Sequence, residues 1–214
     1  MKISIIMAAK NSMPYIKSSI KSFQRQNYKK KELIIVYANS SDLTEKYLKT
    51  VKNKDIKIFK LDAGIYRSLN YGIKKSKGNV IGTLHSDDCF FDEKVLSNII
   101  NVFKNKNVDL CYGNIAFSKK KDLTIIKRIW IEKKDNFKNR YWTPPHTATF
   151  ITKKIFKKLN YNKKYIISSD TDFLIRVLKL KNIKLYYLPR FISIMRLGGL
   201  STNLLFIFKK IFED

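Results

Sequence analysis

The sequence predicts an α/β fold with a mostly parallel sheet flanked by helices. Two observations predict it. Short apolar runs alternate with stretches of helical periodicity from residue 3 to about residue 104. Strand–helix alternation at this spacing implies a parallel sheet with right-handed crossovers. Apolar residues make up 44% and aromatics 13% of the 214 residues, enough to build a core rather than a disordered chain.

The elements follow in order. Residues 3–9 form an apolar run that reads as the first strand; it lacks the length and flanks of a signal peptide, and Lys10-Asn11 follows at once. Asn11-Ser12-Met13-Pro14 is a helix start, a polar cap with proline near the first turn, and the helix is expected to reach Arg25. A second strand over 32–37, a helix over 42–51, a third strand over 56–61, a helix over 65–75 ending at Gly78, a fourth strand over 80–84 and a helix over 92–104 complete the regular part. Beyond it, strands are expected over 109–112, 115–118, 124–131 and 184–188, helices over 153–159 and 170–178, and loops over 132–145 and 196–201. A change of character near residue 89 divides one domain, residues 1–203, into a nucleotide-binding half (1–88) and an acceptor half (89–203). Residues 204–214 form a basic amphipathic tail in which Leu204, Leu205, Ile207, Phe208, Ile211 and Phe212 recur at helical spacing beside Lys209 and Lys210. That is the pattern of a helix lying on an anionic membrane surface.

Charge narrows the partners. With 44 Lys+Arg against 17 Asp+Glu the formal net charge is +27, which favours phosphorylated or otherwise anionic ligands. The basic residues are spread along the chain and match no nucleic-acid-reading motif, so a nucleic-acid partner is not expected. Cys89 and Cys111 fit neither a disulfide framework nor a metal motif and read as buried thiols of a cytoplasmic protein. No apolar run reaches the roughly 18 residues of a membrane span.

Ligands of parallel α/β sheets bind beyond the carboxyl ends of the strands, which directs attention to the loops 9–12, 38–42 and 85–89. In the last of these, Asp87-Asp88 places adjacent carboxylates at the end of a buried strand, where a hard divalent cation with phosphate oxygens would offset their repulsion. Ser169-Asp170-Thr171-Asp172 opens a helix; Ser169 and Asp172 match a capping pair, and Asp170 is free to face the cleft as a general base. Asp62-Ala63-Gly64-Ile65-Tyr66 and Asn70-Tyr71-Gly72 offer glycines for close approach to a ligand and an amide for a base or ribose. His85 and His146 each lie near a proposed functional loop and can touch phosphate or metal.

The order of these motifs resembles the family-2 glycosyltransferases of bacterial polysaccharide synthesis over about residues 2–201. The matching features are the run 3–9 with Asn11, Ser40-Ser41-Asp42-x-Thr44, Asp62-x-Gly64-Ile65-Tyr66 with Asn70-x-Gly72, and Gly78-Asn79-Val80-Ile81-Gly82. Ser86-Asp87-Asp88, Tyr112-Gly113, Pro145-His146, Ser169-Asp170-x-Asp172-Phe173 with Arg176, and Gly198-Gly199-x-Ser201 follow. The resemblance implies a GT-A fold, Rossmann-like, and an inverting transfer of a sugar from a nucleotide-sugar donor, UDP-linked, to a saccharide or lipid-linked saccharide hydroxyl. It implies donor contacts at Ala8, Asn39, Asp62, Asn70, Asp87 and Arg196, Mg2+ or Mn2+ on Asp88, and Asp170 as the catalytic base. Arg176 is expected to pair with an acid on its own helix, and the protein to lie on the inner face of the cell membrane. The chain departs from the family pattern at Tyr37 and Arg67, where aspartates are usual; Asn39 or Asp42 takes over base recognition, or the nucleotide differs. A catalytically degenerate relative and a nucleotidyltransferase are the rival classes, and the latter lacks its glycine- and basic-rich signature after the first strand.

Overall fold

The computed structural model describes residues 1–133 and 142–198. The expected loop over 132–145 therefore lies partly outside the described residues. Gly199, Ser201 and the tail 204–214 lie wholly outside them. No helix among the described residues is long and apolar enough to cross a membrane.

Four parallel strands form the first half of one sheet in the order β3 (Ile56–Lys60), β2 (Lys31–Tyr37), β1 (Ile3–Ala9), β4 (Val80–Thr83). Helices α1 (Ile16–Gln24), α2 (Thr44–Thr50) and α3 (Ile65–Lys75) connect them. Strands β1 and β2 are covered on both faces, which is why they read as nearly continuous apolar runs. Alternation sorts their side chains between two cores. Ile3, Ile5, Met7, Leu33 and Ile35 pack with α1, α2 and α4 (Val95–Asn105). Ile6, Ile34 and Val36 pack with α3, α5 (Lys153–Phe156) and α6 (Ser169–Leu178).

The sheet continues through β8 (Thr149–Thr152), antiparallel to β4, then β6 (Leu110–Ser118), β9 (Leu185–Arg196) and the two-residue β5 (Cys89–Phe90), with β7 (Ile126–Trp130) paired to β6. The parallel arrangement thus holds for the first half, and the second half is mixed. The two halves share this sheet through β4 and β8.

Several expected elements change. The strands expected over 109–112 and 115–118 are one strand, β6, whose register against β9 shifts around Gly113-Asn114. Strand β9 runs on through residues 189–196, so of the loop expected over 196–201 only Arg196 is strand, while Leu197 and Gly198 leave it in a bend. Strands β5 and β8 were not anticipated. Gly72, expected to admit a ligand, instead admits the sheet: a Cβ there would lie 2.6 Å from Ile6 Cγ2. Cys89 and Cys111 are buried free thiols, as expected.

Candidate active site

All four parallel strands end at one edge, and the loops leaving them are tied to one another. Asn11 adopts a positive φ of 49°, accepts from the Ser41 N–H at 2.8 Å and donates its backbone N–H to Ser40 Oγ at 3.1 Å. Asp42 accepts from the backbone N–H groups of Met13 and Thr44, each at 2.9 Å. Burial acts against its ionised form, but these hydrogen bonds outweigh it and lower its pKa. Its carboxylate is therefore committed to the loops. Asn39 and Asp62 are exposed at the same edge, joined by a bond of 2.6 Å from Asn39 Nδ2 to Asp62 Oδ2. Ala8 is half-buried beside them at the end of β1. Tyr37 is buried in the core with Lys60 over its ring, and Arg67 is exposed on α3.

The turn after β4 carries the acidic pair. Asp88 N–H donates to His85 O at 3.2 Å, closing a tight turn. Ser12 Oγ lies 2.8 Å from Ser86 Oγ, and Ser19 Oγ donates to Ser86 O at 2.9 Å, so α1 and its approach hold the turn from outside. Arg196 holds it from β9: its guanidinium donates to Asp87 O, Lys120 O and Ser18 Oγ at 2.7, 2.8 and 2.9 Å and stacks over Tyr15. Its backbone N–H donates to Asp88 Oδ1 at 3.1 Å. This arginine, expected as a donor contact at the start of a loop, is built into the protein beneath the acidic turn.

Asp88 is 2% exposed, and its Oδ2 has no hydrogen-bond partner among the described residues. Burial, reinforced by the neighbouring Asp87 and opposed by His85, pushes its carboxyl well above the usual carboxylate range. One donor atom each from His85, Asp87 and Asp88 falls within 4.8 Å of the others. A buried, unsatisfied carboxylate oxygen in such a cluster fits a divalent cation.

Asp170 sits on the first turn of α6. Its Oδ1 accepts the Thr171 N–H at 3.0 Å and lies 3.1 Å from the Tyr66 hydroxyl, which also donates to Ile167 O. Burial, and then the Asp170 charge, raise the Tyr66 pKa, so the phenol stays protonated. Asp170 Oδ2 faces His146 Nδ1 at 3.9 Å. Burial outweighs the pull of Asp170 and drives the His146 pKa down to about 4, so the imidazole beside Asp170 is neutral at pH 7. Its Nε2 lies 2.7 Å from the Tyr161 hydroxyl. The His146 and His85 ring centroids are 6.0 Å apart, so the two histidines span the interval between Asp170 and Asp88.

The remaining candidates are engaged elsewhere. Asn70 donates to Tyr161 O at 2.8 Å and accepts from Tyr161 N at 3.1 Å, fixing the tyrosine that contacts His146. Asp172 does not cap its helix with Ser169; the cap position is Ser168, and Asp172 accepts from Arg176 Nε and Nη2 at 3.0 and 2.7 Å, the pairing expected for Arg176. Tyr66 and Tyr161 escaped the sequence reading, although Tyr66 lies inside a quoted motif. A surface concavity of about 240 Å³ beside α4, lined by Asn98, Asn101, Asn105 and Leu188 among others, gathers no carboxylates.

A profile of the family described as glycosyl transferase family 2 matches residues 4–174. The chain belongs to that family. An uncharacterized glycosyltransferase of Methanocaldococcus jannaschii is 29% identical over 186 residues, covering 81% of this chain and 63% of the relative. One from Rickettsia typhi is 34% identical over 113 residues, covering 52% and 36%. This family-2 protein thus spans less than two thirds of either relative. Among solved structures, S. aureus TarS 1-349 in complex with UDP-GlcNAc superposes with a TM-score of 0.76 at 18% identity, covering 93% of this chain and 59% of that one. The mannosyltransferase PcManGT from Pyrobaculum calidifontis, in complex with GDP-Man and Mn2+, gives 0.66 at 14%, covering 100% and 64%. The fold is that of the GT-A glycosyltransferases.

Proposed function

We propose that this family-2 protein transfers a sugar, with inversion, from a UDP-sugar to a hydroxyl of a saccharide or lipid-linked saccharide acceptor in surface polysaccharide synthesis. The observation that carries the reading is the meeting of Asp88 and Asp170, 82 positions apart in the sequence, across the contact of His85 and His146. The UDP-GlcNAc complex of TarS supports the choice of a UDP-linked donor.

In this reading the edge formed by Ala8, Asn39, Asp62 and Asp87 binds the nucleotide. Asn70 and Arg196 position that edge and the acceptor side from behind. Asp88 and Asp87 would hold Mg2+ or Mn2+, which when bound would supply positive charge towards the leaving diphosphate. Asp170 takes the proton of the attacking hydroxyl at Oδ2, because Oδ1 is held by Thr171 and Tyr66. Neutral His146 packs beside that carboxylate without neutralising it. Attack opposite the leaving group inverts the anomeric centre. The same proposal treats residues 1–203 as one catalytic domain and the tail 204–214 as its contact with an anionic membrane surface.

The test is a thermal-shift panel of nucleotide sugars with Mn2+, with Mg2+ and with EDTA. A ligand at a hundredfold excess over its dissociation constant stabilises by about 2.7 kcal/mol. Stabilisation by UDP-sugars only when the cation is present is the expected result. Equal shifts in EDTA, or none with any nucleotide sugar, would overturn the reading.

A further inference from the structure

We propose that His85 is itself a ligand of the divalent cation, so that the ion is held by one imidazole nitrogen together with the Asp88 and Asp87 carboxylates. The inference rests on reading residues 85–88 as a cation site. It goes beyond that reading in naming a nitrogen donor and a consequence for the choice of metal.

The geometry gives His85 a partner that is not a hydrogen bond. Its Nδ1 lies 3.5 Å from Asp88 Oδ2, an oxygen that is buried and without a hydrogen-bond partner among the described residues. Two donors each about 2.1 Å from one small cation sit about 3.0 Å apart at a right angle and about 3.4 Å apart at a tetrahedral angle. The observed separation lies just beyond the tetrahedral value, close enough for a small adjustment of the partly exposed imidazole to bring both donors onto one ion, and at the outer limit for a hydrogen bond. Asp88 Oδ1 is already taken by the Arg196 N–H, so Oδ2 is the oxygen left to meet an ion.

The local backbone explains why the imidazole arrives there. The hydrogen bond from Asp88 N to His85 O folds residues 85–88 into a turn, bringing the first and fourth side chains to one side. Serines and Arg196 hold that turn through its backbone and through Ser86, so the His85 and Asp87 side chains are not consumed in holding it. The His85 side chain is 33% exposed, which leaves the cluster open to a cation entering from the cleft. His146 does not supply a second nitrogen: its ring is 6.0 Å from that of His85, and its Nε2 contacts the Tyr161 hydroxyl.

A nitrogen donor alters selectivity. Mg2+ takes oxygen ligands and retains its waters, whereas imidazole suits first-row transition ions. The wild-type chain therefore prefers Mn2+ to Mg2+ more strongly than a carboxylate-only site would.

The probe is Mn2+ bound to the full chain, first alone and then with UDP, examined by pulsed electron paramagnetic resonance for coupling to a directly bound nitrogen. Wild type is expected to show that coupling, and His85→Asn to lose it. The Mn2+ dissociation constant of His85→Asn should rise by about tenfold or more, with little change for Mg2+. Mn2+ bound without nitrogen coupling in wild type would overturn the proposal and leave the cation site intact, provided Asp88→Asn abolishes binding. Coupling that persists in His85→Asn would also overturn it. Failure of Mn2+ to bind with or without UDP would remove the cation site and the proposal together.

Discussion

Asp88 carries a carboxylate that the surrounding protein only half satisfies: one oxygen receives the Arg196 N–H and the other is buried without a partner among the described residues. Its pKa is raised in the folded chain, chiefly by burial. The sign follows. The stability associated with the protonated form is complete below about pH 4, the carboxyl value of an unfolded chain, and is lost as pH rises through the raised folded value. Asp88→Asn keeps an acceptor for Arg196 and removes the charge. Without metal it should therefore be more stable than wild type at pH 8, by on the order of 1–3 kcal/mol, with the advantage vanishing near pH 4. It should also lose the stabilisation that Mn2+ confers on wild type. Melting curves of both proteins across this pH range, with and without Mn2+, provide the check; an unchanged difference from pH 4 to pH 8 would contradict it.

The strand–helix elements of the first half are held at their other end by Glu32, whose side chain is 2% exposed. Burial disfavours its charge, yet Lys2, Ser4 Oγ, the Lys77 N–H and Lys57 all contact it and hold its pKa down to about 2. A depressed carboxyl contributes stability that is present above its unfolded value, near 4.3, and is lost as pH falls through about 2. Glu32→Gln should cost on the order of 3 kcal/mol at pH 7, shrinking towards zero near pH 2, as measured by denaturant unfolding. Packing offers a second test at this scale. Gly72 on α3 lies so close to β1 that an added methyl meets Ile6 Cγ2 at 2.6 Å, and Ile6 is fully buried. Gly72→Ala should destabilise by about 1–3 kcal/mol despite the better helix propensity of alanine, because a branched core side chain has no room to yield. Equal or higher stability would show that α3 can lift from the sheet.

The sequence reading succeeds where burial is two-sided. Strands β1, β2 and β4 declare themselves as apolar runs, and α3 is bounded at Ile65 and Lys75 because its stripe and flanking glycines agree. It fails where tertiary pairing overrides local signals. Pro189 and Arg190 are exposed and interrupt the apolar run, yet β9 passes through them with a shift of register. Strand β5 has only two residues, and β8 follows a Pro-Pro-His segment that reads as loop. At the site, motif order singles out Asp88 and Asp170, and the fold brings them towards one another through His85 and His146. The spending of Asn70 on Tyr161 and of Arg196 on the acidic turn is not legible in that order, because the partners lie 91 and 109 residues away.

Across the whole molecule, the account divides labour between two halves of one sheet. Under the proposed function the first half would supply the donor edge and the turn that holds the cation; the second places Asp170 on α6 and braces that turn from behind through Arg196. The basic excess of the chain, +27, favours an anionic donor and an anionic surface nearby. If this division is right, binding and chemistry can be separated by a single substitution. Asp170→Asn preserves size and an acceptor for the Thr171 N–H while removing the base. Asp172→Asn, which breaks only the Arg176 pair on the same helix, serves as the control. The decisive measurement is the rate of UDP release from a UDP-sugar with Mn2+, together with the donor dissociation constant, for wild type and both variants. The account predicts a loss of 10²–10⁴-fold in rate for Asp170→Asn with donor affinity nearly unchanged, and a far smaller loss for Asp172→Asn. Turnover by Asp170→Asn above about a tenth of wild type, or a severe loss confined to Asp172→Asn, would contradict it.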